Sequence, residues 1–220
     1  MVLRCKLFLC TRYEQVNGKK VCGDASDDEI YHPSKNSPHT SPQLRKGKEI
    51  DKPKPIISLS EFSECALERH NYLRSLHGCP PLKVNQKLSK ECEEYAEFLA
   101  KSGKMEHCEG DFGENLAYKE NIEKVELCGA IASNMWYGEI RNYDFNKDQQ
   151  LPSGHFSQLV WKACKEVGFG IAFSPNTTRA IIVARYLPPG NWRGQWAENV
   201  PRPLNGKVYL PFLEDISHSG

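Results

Sequence analysis

From Ser58 onward the apolar positions switch between helical and extended spacing, and that switching divides the chain into elements. In SLSEFSECALERHNYLRSLHG (58–78), Phe62, Cys65, Ala66, Leu73 and Leu76 fall near one face of a 3.6-residue repeat. Ser58 and Glu61 form a capping box at its start, and Gly78 with the prolines behind it ends it. Asn85 caps a second helix carrying Leu88, Cys92, Tyr95, Ala96 and Leu99, which Gly103 stops. A third helical pattern covers about 122–143 through Val125, Ala132, Met135 and Trp136. SGHFSQLVWKAC makes a short fourth helix, with Ser153 as its cap and His155 in its first turn. EVGFGIAFS and RAIIVARYL are β-branched or alternating runs joined by PNTT, which predicts an antiparallel hairpin, and FGENLAYK supplies another strand. Helices on a small, mainly antiparallel sheet make an α+β protein, a three-layer α/β/α sandwich.

The flanks carry no such pattern. Residues 23–56, including HPSKNSPHTSPQLRKGKEIDKPKP, have almost nothing apolar to bury and cannot offset the entropy of ordering, so residues 1–57 are expected to form a disordered or loosely docked arm. The folded domain is then 58–203 and residues 204–220 a C-terminal extension. After Tyr186 the chain is dense in Pro, Gly and Asn and is expected to wrap the surface without regular structure.

Composition narrows the function classes. Lys plus Arg number 29 against 28 for Asp plus Glu, so no basic field points to nucleic acid. No run reaches the roughly 18 apolar residues of a spanning helix. In MVLRCKLFLC the apolar residues are interrupted by Arg4 and Lys6, which argues against a signal peptide, while Cys5 and Cys10 in that basic, apolar setting are candidates for S-acylation. Nine cysteines, an odd number with no CxxC pair, favour a reducing compartment and mostly free thiols. The sequon Asn176-Thr177-Thr178 points the other way, towards secretion.

GHFSQLVW (154–161) alone leaves His155 open as packing residue, metal ligand, base or pocket wall. Four further motifs accompany it, HNYLRSLHG, HCEGDFGENLAY, WYGEIRNYDF and ARYLPPGN. The set resembles the CAP superfamily of cysteine-rich secretory, antigen 5 and plant pathogenesis-related proteins, over about residues 60–203. It looks most like the Golgi-associated, non-secreted branch and similar helminth venom-allergen-like proteins. The resemblance implies a cleft tetrad of His107, Glu114, Glu139 and His155, with the imidazoles able to ligate zinc or another divalent cation and the glutamates acting as ligands or supports. No cofactor is required on that reading. Ala184 stands where secreted members resemble one another in having cysteine, and no cysteine follows Cys164, which supports an intracellular, membrane-associated protein. His70 is read as packing, and His77 as an imidazolium suited to the end of the first helix.

The resemblance also implies lipid or sterol binding in hydrophobic grooves, for which Trp136, Tyr137, Tyr143 and Phe145 offer planar apolar area. The partners implied are lipids or sterols, a membrane surface and a second copy of the chain as a homodimer. Ser157 lies two residues from His155 and no GxSxG elbow occurs, so no nucleophile is marked. The reading is therefore a non-enzymatic binding or interaction module. A metal-dependent hydrolase or protease using the tetrad is the alternative, and a secreted immunomodulatory protein, exported by an unconventional route, a second.

Overall fold

A computed structural model describes residues 14–16, 19–21, 58–119, 129–148, 150–175 and 179–211. Cys5, Cys10 and the sequon lie outside the described residues. In the N-terminal region β1 (Glu14–Val16) pairs antiparallel with β2 (Lys19–Val21), which adds a short ladder to a stretch expected to lack one.

α1 (Leu59–Ser75) begins as its sequence requires: the Ser58 side chain accepts from the Glu61 N–H, and Glu61 accepts from the Ser58 N–H in return. Its buried face holds Phe62, Ala66, His70, Leu73 and Arg74. β3 (Lys83–Val84) follows, and then α2 (Gln86–Ser102), which Asn85 caps through the Leu88 N–H and Gly103 closes in the left-handed region at φ 71°. β4 (Gly113–Lys119) leads into residues 120–128, which are outside the described set. α3 (Ala130–Tyr137) runs on into a 3₁₀ turn, Gly138–Asn142. A second 3₁₀ turn, Leu151–Ser153, opens α4 (Gly154–Val160). The hairpin is β5 (Glu166–Phe173) and β6 (Ala180–Leu187). One further turn of helix, α5 (Trp196–Asn199), interrupts the otherwise irregular tail and buries Trp196.

The sheet order is β3-β5-β6-β4, antiparallel except for the two-residue β3·β5 pairing. Alternation along β6 divides the interior in two. Ala180, Ile182, Ala184 and Tyr186 face a large cluster with residues of α1, α3 and α4 such as Phe62, Leu73, Trp136, Phe156 and Leu159. Ile181 and Val183 face a smaller cluster with Cys92, Ala96 and Leu99 of α2. α2 lies directly on β5: a Cβ on Gly168 would come within 2.5 Å of the Leu88 carbonyl carbon, and one on Gly170 within 2.3 Å of that of Cys92. Only glycine permits this approach.

Residues 204–211 dock on the domain. The Leu204 N–H donates to the Leu76 carbonyl, and the Tyr209 hydroxyl accepts from Arg69 while its ring meets Tyr72 edge-on. Four of the five described cysteines, Cys79, Cys92, Cys108 and Cys164, are free. Cys65 is disulfide-bonded, which corrects its reading as a simple apolar helix residue. Among the described residues no helix is long and apolar enough to cross a membrane.

Candidate functional site

α4 starts without the cap its sequence offers. The Ser153 side chain makes no capping bond, and its hydroxyl donates instead to the Glu139 carbonyl. The cap is the Glu139 carboxylate, delivered from the 3₁₀ turn after α3: Oε2 accepts from the backbone N–H groups of His155 (3.0 Å) and Phe156 (3.2 Å). Its other oxygen, Oε1, accepts from His155 Nδ1 at 2.8 Å. A carboxylate suits this end of a helix because the unsatisfied N–H groups there carry partial positive charge. Glu139 is 8% exposed and His155 fully buried. A neutral ring with its hydrogen on Nδ1 presents a lone pair at Nε2, and that Nε2 is buried with no hydrogen-bond partner.

The second pair stands at the start of β4. Glu114, 1% exposed, accepts through Oε1 from His107 Nδ1 (2.9 Å) and the Cys108 N–H (3.1 Å), and through Oε2 from Arg185 Nε (2.9 Å). Glu114 and Arg185 are direct cross-strand partners. The guanidinium lies between the rings of Phe112 (4.1 Å) and Tyr95 of α2 (4.8 Å). Its charge is thus matched by one carboxylate and two aromatic faces.

The structure therefore arranges the tetrad as two His–Glu pairs. By strand alternation Glu114 sits with Leu116 and Tyr118 towards α2, whereas Glu139 and His155 belong to the α3/α4 side. Among the described residues no three His, Cys, Asp or Glu side chains converge as a metal-holding group. The two pairs meet through Asn115, whose Nδ2 donates to the His155 carbonyl (3.0 Å) and to the Tyr186 hydroxyl (3.2 Å).

That hydroxyl reaches His70 Nε2 at 2.9 Å, and His70 Nδ1 donates to the Ala66 carbonyl and contacts Ser133 Oγ. Burial pushes the His70 pKa down to about 3, so the ring is neutral and structural, as its position on α1 implies. His77 is also buried. Its Nδ1 donates to the Pro201 carbonyl and its Nε2 meets the Tyr137 hydroxyl, and burial lowers its pKa. The imidazolium expected at the end of α1 is thus replaced by a neutral ring wedged between chain segments.

Sequence reasoning missed Arg74. Fully buried on α1, it donates to the carbonyls of Pro80, Leu159, Trp161 and Cys164, gathering the C-terminal end of α4. A cation suits that end as Glu139 suits the other. Ser157 is buried, and its hydroxyl donates to Asn191 Oδ1 at 2.6 Å. Of the aromatic lipid candidates, Trp136 and Tyr137 are sealed in the core, with Trp136 Nε1 donating to the Leu116 carbonyl. Tyr143 and Phe145 pack edge-on at 4.9 Å, and Phe145 is only partly buried, under Arg202.

The family model for the cysteine-rich secretory protein family, CAP, matches residues 67–186. The chain is 37% identical over 150 residues to Golgi-associated plant pathogenesis-related protein 1 of Homo sapiens, covering 65% of this chain and 94% of that protein. It is 34% identical over 142 residues to Protein PRY2 of Saccharomyces cerevisiae, covering 64% of this chain but 41% of the yeast protein. The basic form of pathogenesis-related protein 1 of Nicotiana tabacum is 31% identical over 66% of this chain and 81% of its own. Among solved structures, NaASP2 with Zn2+ shares the fold at a TM-score of 0.53 and 19% identity, covering 69% of this chain and 90% of that one.

Proposed function

The chain belongs to the cysteine-rich secretory protein (CAP) family, and on that premise we propose that it is a non-enzymatic binding module whose Glu139–His155 pair receives a divalent cation. The observation that carries this reading is His155 Nε2, buried and unpartnered while Glu139 fixes the opposite nitrogen. A carboxylate that orients an imidazole is the usual support of a metal-ligating histidine. The solved neighbour crystallised with Zn2+ agrees with it.

The donor set fits an open, weak site. His155 would supply a nitrogen, with Glu139 as its hydrogen-bonded support, whereas His107 and Glu114 stand in the other pair. Among the described residues no three such side chains converge, so water would have to complete the shell of a bound cation. Affinity then falls well short of the roughly 10–16 kcal/mol of four-ligand structural zinc sites. A bound cation would supply charge and a Lewis-acid centre. Catalysis has weaker support, because Ser157 donates to Asn191 and not to an imidazole.

Lipid or sterol binding draws on less, since of the four aromatic candidates only Phe145 keeps appreciable exposure. Calorimetric zinc titration of the wild type and of His155→Ala tests the cation reading: the variant should lose measurable binding, and an unchanged isotherm would overturn it.

A further inference from the structure

Of the five exposed large hydrophobic residues among the described residues, four gather on one surface: Tyr72, Leu204, Val208 and Leu210. α1 supplies Tyr72, and the docked tail supplies the rest. The tail turns tightly at its tip, where the Gly206 N–H donates to the Pro203 carbonyl and the Lys207 N–H to Asn205 Oδ1. Leu204 lies over Gly78 beyond the end of α1 and is still 75% exposed. Past the turn the chain alternates, with Tyr209 packed inward on Tyr72 and Arg69 while Val208 and Leu210 face outward. Aliphatic groups crowded together in water favour an apolar phase that covers them.

The charges beside them have one sign. Residues 69–82 and 199–211, the two segments that meet here, contain no Asp or Glu, whereas Arg202 and Lys207 are exposed on the tail. Glu68, the next acid along α1, lies a full turn before Tyr72. A second copy of the chain fits poorly, because a two-fold contact sets a patch against itself and would bring these like charges together. Four side chains also fall well short of the roughly 20–30 residues a side of a stable protein interface.

We propose that this surface docks on an anionic membrane, with Leu204, Val208 and Leu210 entering the boundary between headgroups and acyl chains and Arg202 and Lys207 meeting the lipid anions. Tyr72 and Tyr209 are amphipathic rings suited to the headgroup level. The stem of Lys207 extends the apolar contact while its ammonium stays among the headgroups. The tail lies beyond residues 67–186, so most of this surface is outside the part of the chain that the family model describes. This inference does not rest on cation binding, and neither result decides the other.

The test is co-sedimentation of the folded full chain with vesicles of phosphatidylcholine alone and with about 30% phosphatidylserine, in which the basic residues should favour the anionic vesicles at least about fivefold. Leu204→Ser combined with Val208→Ser should weaken that binding at least about tenfold, since both side chains are exposed and the Leu204 backbone bond to Leu76 is kept. Lys207→Glu should weaken it at least about fivefold. Phe98→Ser removes the fifth exposed hydrophobic, on α2 across the sheet, and should change nothing. No binding to the anionic vesicles, equal binding to both kinds, or full binding by the double variant overturns the proposal. An equal loss in Phe98→Ser overturns the assignment to this face. A wild-type dimer that the double variant dissociates in sedimentation also overturns it, because a second copy would then be what covers the surface.

Discussion

Replacing Glu139 by glutamine is the sharpest test of how the site is built, because it keeps the shape and removes the charge. The carboxylate accepts three hydrogen bonds, from His155 N, Phe156 N and His155 Nδ1, at 3.0, 3.2 and 2.8 Å. In Glu139→Gln the amide oxygen can still cap the two backbone groups, but the amide nitrogen then meets the Nδ1 hydrogen, donor against donor. Loss of a charge-assisted bond costs about 1.5–3 kcal/mol, and loss of charge at the helix start adds roughly 0.3–1 kcal/mol. We expect a total of about 2–4 kcal/mol, read as a lowered urea midpoint followed by tryptophan fluorescence at pH 7. The imidazole should also change tautomer, which ¹⁵N NMR of the histidine ring detects. A variant within about 0.5 kcal/mol of wild type, with the ring hydrogen still on Nδ1, would refute the account of Glu139 as both cap and orienting group.

Four further outcomes follow from the packing. Arg74→Met should destabilise by about 3–5 kcal/mol, measured by urea unfolding, because up to four carbonyls lose their buried donor. With His70 depressed to about 3 in the folded state against an ordinary histidine value of 6.5, the unfolded chain takes up the proton first; stability is therefore full above about pH 6.5 and declines towards pH 3, by up to about 1.4 kcal/mol per pH unit, and His70→Gln should flatten that slope in pH-dependent denaturation. Gly170→Ala should cost at least about 1–3 kcal/mol by the same assay, since its Cβ would strike the α2 backbone. A thiol count on the denatured, unreduced chain should give at least the four free cysteines and at most seven, nine less the two of the Cys65 bridge.

Local signals in the sequence suffice where an element is stabilised by its own neighbours. The Ser58–Glu61 box, the Asn85 and Gly103 ends of α2 and the β5–β6 hairpin all depend on residues within a turn or two, so spacing alone reveals them. The helical spacing carries the third helix too far at its C-terminal end, because Gly138–Asn142 tightens into a 3₁₀ turn that serves to present Glu139. The true cap of α4 comes from sixteen residues upstream, which no local pattern encodes. Arg74 looks like any surface charge on an amphipathic helix until the end of α4 arrives 85 residues later. The four tetrad positions are legible only through family likeness, and their division into two pairs follows from strand phase, a property of three-dimensional pairing.

That phase bears on how tightly the strand register is specified. Glu114 and Asn115 are neighbours on β4, as Arg185 and Tyr186 are on β6, yet each residue of the two couples serves an opposite layer. Sliding β4 by a single residue would turn the Glu114 carboxylate towards Trp136 and Phe156 and offer Arg185 an amide in its place. Both layers would report the mistake at once. The polar groups at this end of the strand pair thereby tie the register of β4 to both layers at once, so that a single alignment satisfies them all.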